Sequence, residues 1–524
     1  MNRNVLCLFV ALAAAGCSTS AVVCREGTDR CGVGCADYQS DRTNCGACGV
    51  ACQSSQVCSA GACVCQPGST ACGATCAVLS SDPKNCGACG TSCAAGQVCE
   101  GGQCKVACVA GTSQVCGGSC VDVTSDVNHC GACGVTCQTG ERCKNRRCGF
   151  DVIAACFSTG QVVGLQPGSG FKGPLQALGT GPASLASYGH ALLAVDGLDS
   201  TLHQARLFGP QTLERFPQKN TVGMVANHVF VDAPYVYVVN SASGTLQVFG
   251  TDGGVEDGGW ALTSIGSLNF GANTFPEAVA KVQGRLWVPL YGGYDALSAD
   301  AGQRVVEVDV TNPSAPVAMG SVSLKGLDLK AFDGGAPVAR PFAIVAHQGA
   351  LYVALNNLNA DTYEPQGPGM VAHIDPVTKV VTLIDLGGAR CLNASWIAPV
   401  GDSLAVSCSG KVLYGGPPNY DTLGVDRGGL ALISGTSVTS FVGIACPSSS
   451  DAGCKPVQPG RVAALGYNVY VADQTGGRVF EFEVRDGGLV GRRAYGGEVS
   501  GPMQACTPNA TTGLANVSDV LAVP

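Results

Sequence analysis

HVFVDAPYVYVVNSASGTLQVFG, residues 228–250, packs three short strands into one stretch. Apolar β-formers run to Ala233-Pro234. "YVYVVN" follows at 235–240, and the polar break "SASG" leads to "TLQVF" at 245–249. Aromatic and β-branched residues bounded by Pro, Asn, Ser and Gly read as antiparallel strands joined by tight turns. The same unit recurs at 278–310, 343–376, 396–434 and 461–484, with a weaker copy at 184–208.

Two partial copies flank these six. Residues 151–165 carry the later strands without an inner one, and 512–524 carry the early strands, after which the chain stops. A ring closed by pairing the first strands with the last explains both, and it removes an exposed sheet edge. The expectation is an all-β propeller over 150–524 with seven blades. Eight is the alternative, because both fragments contain a middle strand. Composition agrees: 74 Gly and only 13% charged residues suit strands and turns better than helices.

The region before the propeller is different. The chain has 32 Cys, and 24 of them fall between Cys24 and Cys148 as three repeats of eight. These are Cys24, Cys31, Cys35, Cys45, Cys48, Cys52, Cys58 and Cys63; then Cys65, Cys72, Cys76, Cys86, Cys89, Cys93, Cys99 and Cys104; then Cys108, Cys116, Cys120, Cys130, Cys133, Cys137, Cys143 and Cys148. From the second Cys onward the spacing is identical, and each repeat contains CGACG. The modules are thus 24–63, 65–104 and 108–148.

Tyr38 is the only aromatic residue in these modules. Ordering a residue costs roughly 1–2 kcal/mol of backbone entropy, which so little apolar surface cannot offset. Four disulfides per module, at about 2–4 kcal/mol each, can supply much of the difference. Eight Cys allow 105 pairings, and spacing does not choose among them. Zinc would also use Cys-x-x-Cys pairs, but an exported chain does not keep its thiols reduced. A thioredoxin-type motif belongs to an α/β fold that this region lacks. Asp41, Asp82 and Asp126 each precede a CGACG by a fixed distance. One acid per module suits an Asx turn better than a calcium cage.

The N-terminus reads "MNRNVLCLFVALAAAGCSTS". A basic residue, an apolar run too short to span a bilayer and small residues make 1–16 an export signal. It resembles a bacterial lipoprotein signal, which implies lipidation of Cys17 and a short linker over 17–23. The partner is then a membrane, reached through the lipid, and the location is the bacterial cell envelope, at the outer membrane or cell surface. Cys24–Cys148 carries nine basic and nine acidic residues. With a net charge of −8 and no basic block, the chain lacks the footprint of a nucleic-acid binder.

"YVYVVNSASGTLQVF" and "NVYVADQTGGRVFEF" resemble the YVTN-type β-propellers, over about 150–524. The CGACG modules are similar to those of exported lipoproteins of the myxobacterial type. The resemblance implies a fold and an exported location, and it implies little about activity. The six later Cys fit propeller loops: Cys391 with Cys408, Cys446 with Cys454, and Cys156 with Cys506 as a latch on the closure.

Lactonase-like propellers hold a metal at the central channel. Candidates here are Glu277, Asn240, Asp196 and Asp473, but the last three end middle strands, where a polar residue caps the turn. No convergent set is visible, so no metal, cofactor or catalytic residue is expected. Trp260, Trp287 and Trp396 can form a glycan platform, although Trp287 and Trp396 lie in strands and suit a core. The reading is a non-enzymatic, exported ligand-binding or adhesion protein: a stapled spacer carrying a propeller head that takes a protein or glycan on one face. The alternatives are a propeller enzyme of lactonase or hydrolase type, and a structural envelope or matrix component.

Overall fold

The computed structural model describes residues 24–32, 34–94, 96–108, 111–167, 171–208, 212–251, 260–293, 301–332, 334–360, 362, 364–414, 422–444, 457–491, 503–511 and 514–523. The signal segment, Cys17, and the Cys446 and Cys454 pair lie outside the described residues. No described helix is long and apolar enough to cross a membrane. The chain divides into two compact units that meet at Val121 and Asp122.

The second unit is an all-β propeller of seven antiparallel blades. Blade 1 takes its inner strand from the C-terminus, Val517–Ala522, followed outward by Val152–Cys156, Gln161–Gln166 and Phe171–Ala177. Blades 2 to 5 are continuous in sequence, with inner strands Pro182–Tyr188, Ala226–Asp232, Ala280–Val282 and Pro341–His347. Blade 6 begins at Ala394–Val400 and carries an inserted hairpin, Lys411–Tyr414 with Thr422–Asp426. Blade 7 begins at Pro459–Leu465.

Closure comes from Val517–Ala522 pairing with Val152–Cys156, with Ala522 opposite Val152 and Val520 opposite Ala154. Among the described residues the C-terminal fragment supplies one strand only, and the sheets make seven blades, so the eight-bladed alternative falls. A strand with its two faces against two neighbouring blades must be apolar at every position, unlike one with a wet face. This is why "YVYVVN" and its counterparts read as continuous hydrophobic runs. Ile153 and Ala155 pack against blade 2, through Leu185, Leu192 and Ala194. Val152, Ala154 and Cys156 pack against blade 7, through Tyr470 and Ala472. Each of the seven gaps between blades holds one such core.

Cys156 and Cys506 are bonded and fully buried at the closure. Phe157 donates its backbone N–H to Asn516, and Asn509 donates its amide to Ser158, so polar bonds reinforce the same seam. A second bridge, Cys391–Cys408, ties the approach to blade 6 to the end of its middle strand.

The cysteine modules share one pairing. Numbering the eight Cys in order, the first joins the third, the second the fifth, the fourth the seventh and the sixth the eighth. Module 1 is Cys24–Cys35, Cys31–Cys48, Cys45–Cys58 and Cys52–Cys63. Module 2 repeats it with Cys65–Cys76, Cys72–Cys89, Cys86–Cys99 and Cys93–Cys104. In module 3, Cys108–Cys120, Cys130–Cys143 and Cys137–Cys148 follow suit, and Cys116 and Cys133 are also disulfide-bonded. Each of the first two modules adds two short hairpins, such as Asp29–Cys31 with Gly34–Ala36 and Gln56–Ser59 with Ala62–Cys65.

The physical content of CGACG is visible at its first Gly. Gly46 has φ +75°, and a Cβ there would sit 2.5 Å from the Gly61 carbonyl oxygen of the facing hairpin. Gly87 meets Gly102 in the same way. The second Gly is held by the residue just before the motif: Gly49 and Gly90 donate to the side chains of Asn44 and Asn85. Asp41 and Asp82 orient those same Asn side chains and accept backbone N–H bonds from Thr43 and Lys84. Asp126 accepts from Asn128. All three acids are therefore engaged in Asx turns.

Within the second unit, the last part of module 3 seats on the propeller. Phe150 covers Gly164 and Gly173 of blade 1, where any Cβ would meet its ring at 2.0 and 2.6 Å. Arg142 donates to the Pro167 carbonyl at 3.0 Å.

Two outcomes follow from these staples. Replacing Cys156 and Cys506 together by Ala should lower the unfolding free energy by roughly 2–5 kcal/mol, read from the denaturant midpoint, with an unchanged β-sheet circular dichroism spectrum. A thiol reductant should strip residues 24–148 of their resistance to protease, while a metal chelator should leave it intact. The reverse would mean the modules are held by metal.

Candidate functional site

The inner strands face one another around the axis. In blades 2, 3, 5 and 6 the pairing slips by one residue just after the first position: at Pro182/Ser184, Ala226/His228, Pro341/Ala343 and Ala394/Trp396. Blade 7 slips between Pro459 and Val462, and blade 4 has the same offset, because Pro276 bridges Leu290 while Ala280 opposes Trp287. A bulge leaves a residue unpaired and re-aims its side chain. The bulge residues Ala183, Asn227, Glu277 and Phe342, with Ser518 from the slip between Val517 and Asp519 in blade 1, all line one cavity of about 500 Å³ at this end of the channel. Phe157, Ser241, Tyr291, Trp396 and Gln474 complete most of its wall.

Arg461, one step further along its strand in blade 7, crosses the channel. Its guanidinium donates to the Asn227 carbonyl at 2.6 Å, reaches His228 Nδ1 at 3.2 Å and lies 3.5 Å from the Asp519 carboxylate. It stacks on Trp396, 3.9 Å from the ring centre. Arg461 and Trp396 line both this upper chamber and a lower one of about 550 Å³ walled by inner-strand side chains. The side chain thus partitions the channel.

The electrostatics follow from burial. The Glu277 carboxylate accepts from the Ser241 hydroxyl at 2.8 Å and from the Asn227 amide. Burial pushes its pKa up to about 8, against the opposing pull of Ser241, Arg461 and Asn227. Burial, with Arg461 adding to it, pushes His228 down to about 3. Burial also raises Asp519, which Arg461 and the backbone N–H groups of Leu185 and Val520 partly counter. At neutral pH the upper chamber therefore presents a neutral acid beside Arg461, while the neutral imidazole of His228 and the Asp519 partner of Arg461 line the lower chamber. Two wall atoms, Asn227 Oδ1 and Trp396 Nε1, have no hydrogen-bond partner among the described residues.

The four acidic and amide residues singled out in the sequence are not brought together. Glu277 is in the channel. Asp196, Asn240 and Asp473 lie where middle strands turn. Asp196 accepts from the backbone N–H groups of Thr180, Gly181, Leu198 and Asp199. Burial works against its ionisation, but these donors hold it below the usual carboxylate range. Asp199 and His203 lie close by, yet the Asp196 oxygens are already engaged in locking the turn. Asn240 accepts from Gly223, and Asp473 pairs with Arg478 at 2.6 Å. Trp287 is core, 1% exposed, and Trp260 packs on Tyr188 with ring centres 3.9 Å apart. Trp396, expected in a core, packs against the core between blades 5 and 6 and also lines the channel.

Asn227, His228, Arg461 and Asp519 escaped the sequence reading. Each sits at the entrance of an inner strand and looks like an ordinary strand start. Aligning the blades on the residue before each inner apolar run would have placed Asn227, Glu277 and Phe342 in one column.

A family model for the stigma-specific STIG1-like proteins matches residues 100–151, which covers the third cysteine module. No curated protein sequence matches the chain. Among solved structures, AztD from Citrobacter koseri is similar over 67% of this chain and 96% of its own, at 13% identity and a TM-score of 0.43. A candidate 6-phosphogluconolactonase from Bacteroides fragilis covers the same shares, at 13% and 0.44. A protein from Lactobacillus plantarum covers 65% and 94%, at 15% and 0.45. At these identities the likeness is one of fold.

Glu277 makes a directional prediction. Its proton is held more tightly in the folded state, about 8, than at the ordinary 4.5, so its stabilising effect is complete below 4.5 and is lost as pH rises through 8. The penalty accrues at about 1.4 kcal/mol per tenfold change in proton affinity. Glu277→Gln should therefore gain stability relative to the parent between pH 5 and pH 9, measured by denaturant midpoints. Parallel pH profiles would contradict the assignment.

Proposed function

We propose that this is an exported, non-enzymatic binding protein whose propeller recognises its ligand at the upper chamber. The disulfide content points to an extracytoplasmic location. In this reading Cys17 carries lipid, the modules are a stapled spacer, and the chamber takes the ligand. The observation that carries the reading is the convergence of the bulge residues with Arg461 and Trp396. Neutral hydrogen-bonding groups and aromatic faces meet there in a pocket of small-molecule size.

A hydrolase of propeller type is the second reading. It is favoured by Glu277, whose raised pKa suits proton transfer near neutrality. The four candidate ligands for a channel metal do not converge, and Glu277 shares its surroundings with the Arg461 cation. Binding is therefore the better-supported chemistry.

The test is a thermal-shift screen of the mature full-length chain against envelope glycans, secreted-protein fractions and small metabolites, run beside Ala183→Trp. Ala183 lines the chamber and is not fully buried, so Trp there fills the mouth. Ligand at a hundred times its Kd adds about 2.7 kcal/mol of apparent stability. That gain should appear in the parent and vanish in the variant. A ligand that stabilises both equally would move the site off the channel, and a ligand consumed during incubation would favour the hydrolase.

A further inference from the structure

The upper chamber is layered, and the layers constrain its ligand. At its depth, Glu277 and Ser241 are 5% and 4% exposed and hydrogen-bonded to each other, with Asn227 beside them. Phe157, Tyr291 and Phe342 line the same chamber. Phe342 meets Trp396 edge to face with ring centres 4.8 Å apart, and Tyr291 meets Phe342 at 5.8 Å.

Exposed aliphatic residues adjoin this lining: Leu198 neighbours Phe157, Met224 precedes Val225, and Leu514 stands shortly before Asn516. Leu198 stands on the turn of blade 2, Met224 and Val225 on the approach to blade 3, and Leu514 on the approach to the C-terminal strand. They are 63%, 63%, 49% and 61% exposed. Leu198 and Phe157 are neighbours, since a Cβ on Gly181 would touch both, at 2.7 and 3.1 Å. Val225 itself lines the chamber. Single exposed apolar residues are ordinary, but an apolar arc running into an aromatic pocket is the pattern of a binding surface.

Charge narrows the head group. An anion entering the chamber meets a guanidinium already engaged by Asp519, His228, the Asn227 carbonyl and Trp396. A cation meets a buried carboxyl already taken by two donors. Either would surrender its hydration without a free counter-charge, which is expensive. A purely apolar ligand would strip water from the polar floor without replacing its hydrogen bonds.

We propose that the upper chamber binds a small uncharged amphiphile, with a hydrogen-bonding head against Asn227, Ser241 and Glu277 and an aliphatic tail leaving over Phe157, Leu198, Val225 and Leu514. This rests on the chamber being the ligand site, as argued above. Sugar and amide heads share the required chemistry, and the probes separate them.

The experiment is calorimetric titration of the mature full-length chain, below micelle-forming concentrations, with methyl, butyl and octyl glucosides, octanoylglycinamide, octanoate and octylammonium. A fully buried methylene is worth about fourfold in affinity, so a tail covered on one side gains about twofold per methylene and about a hundredfold from methyl to octyl. At least one neutral octyl probe should bind at least about tenfold tighter than octanoate or octylammonium. Leu198→Ser with Leu514→Ser, two exposed changes, should cut the tail-dependent gain about tenfold and spare short-tailed binding. Equal binding of the charged probes, no dependence on tail length, or no binding of any neutral probe would overturn the ligand class. Neutral-probe binding that persists in Ala183→Trp would overturn the chamber as the site. A different ligand that Ala183→Trp excludes would leave the site standing and the class refuted.

Discussion

The propeller depends on one strand pairing made across almost the whole sequence, Val517–Ala522 on Val152–Cys156. Without it blade 1 has no inner strand, and the core that blade 1 shares with blade 7 loses Val517 and Val520. Blades 1 and 2 share a second core in which Leu521 takes part. Closing so long a loop is entropically unfavourable, though the cost grows only slowly with length. Seven inter-blade cores, polar bonds at the seam and the Cys156–Cys506 bridge all repay it.

The same strand delivers chemistry. Ser518 and Asp519 arrive at the channel only because the C-terminus completes blade 1, and Asp519 is the counter-charge of Arg461. Arg461 then ties blade 7 to blade 3 through Asn227 and His228, and to Trp396 of blade 6. A partly satisfied charge in such a place would be costly. Four engaged partners make it a partition that separates two chambers and leaves the upper one neutral.

Much of the fold was legible because propeller blades repeat. "YVYVVN" and "NVYVAD" announce middle strands buried on both faces, and the incomplete units at 151–165 and 512–524 announce closure. The disulfide-rich modules were legible from the spacing of CGACG, whereas their pairing was not: Cys45 lies 13 residues from Cys58, which it joins, and almost the same distance from Cys31, which it does not. The channel set was hidden for a different reason. A bulge is a register event between two strands, so nothing in "ANHVF" or "PGRVA" marks Asn227 or Arg461 as facing an axis. Of the four metal-ligand candidates, only Glu277 reached the channel. Asp196, Asn240 and Asp473 went to turns because a polar side chain at a strand end is first claimed by nearby backbone N–H groups.

The modules and the propeller solve the same problem by different means. The modules have almost no apolar surface and use covalent closure, with Gly46 and Gly87 letting backbone meet backbone. The propeller has abundant apolar surface and uses ring geometry. The account stands on that ring, and native-state hydrogen exchange tests it most directly. The backbone amides of Val517–Ala522 that bond to Val152–Cys156 should exchange as slowly as those within blades 3 and 5, in one cooperative class. Rapid exchange of 517–522 while the other blades remain protected would show an open ring, and the channel would lose Ser518 and the Asp519 counter-charge of Arg461.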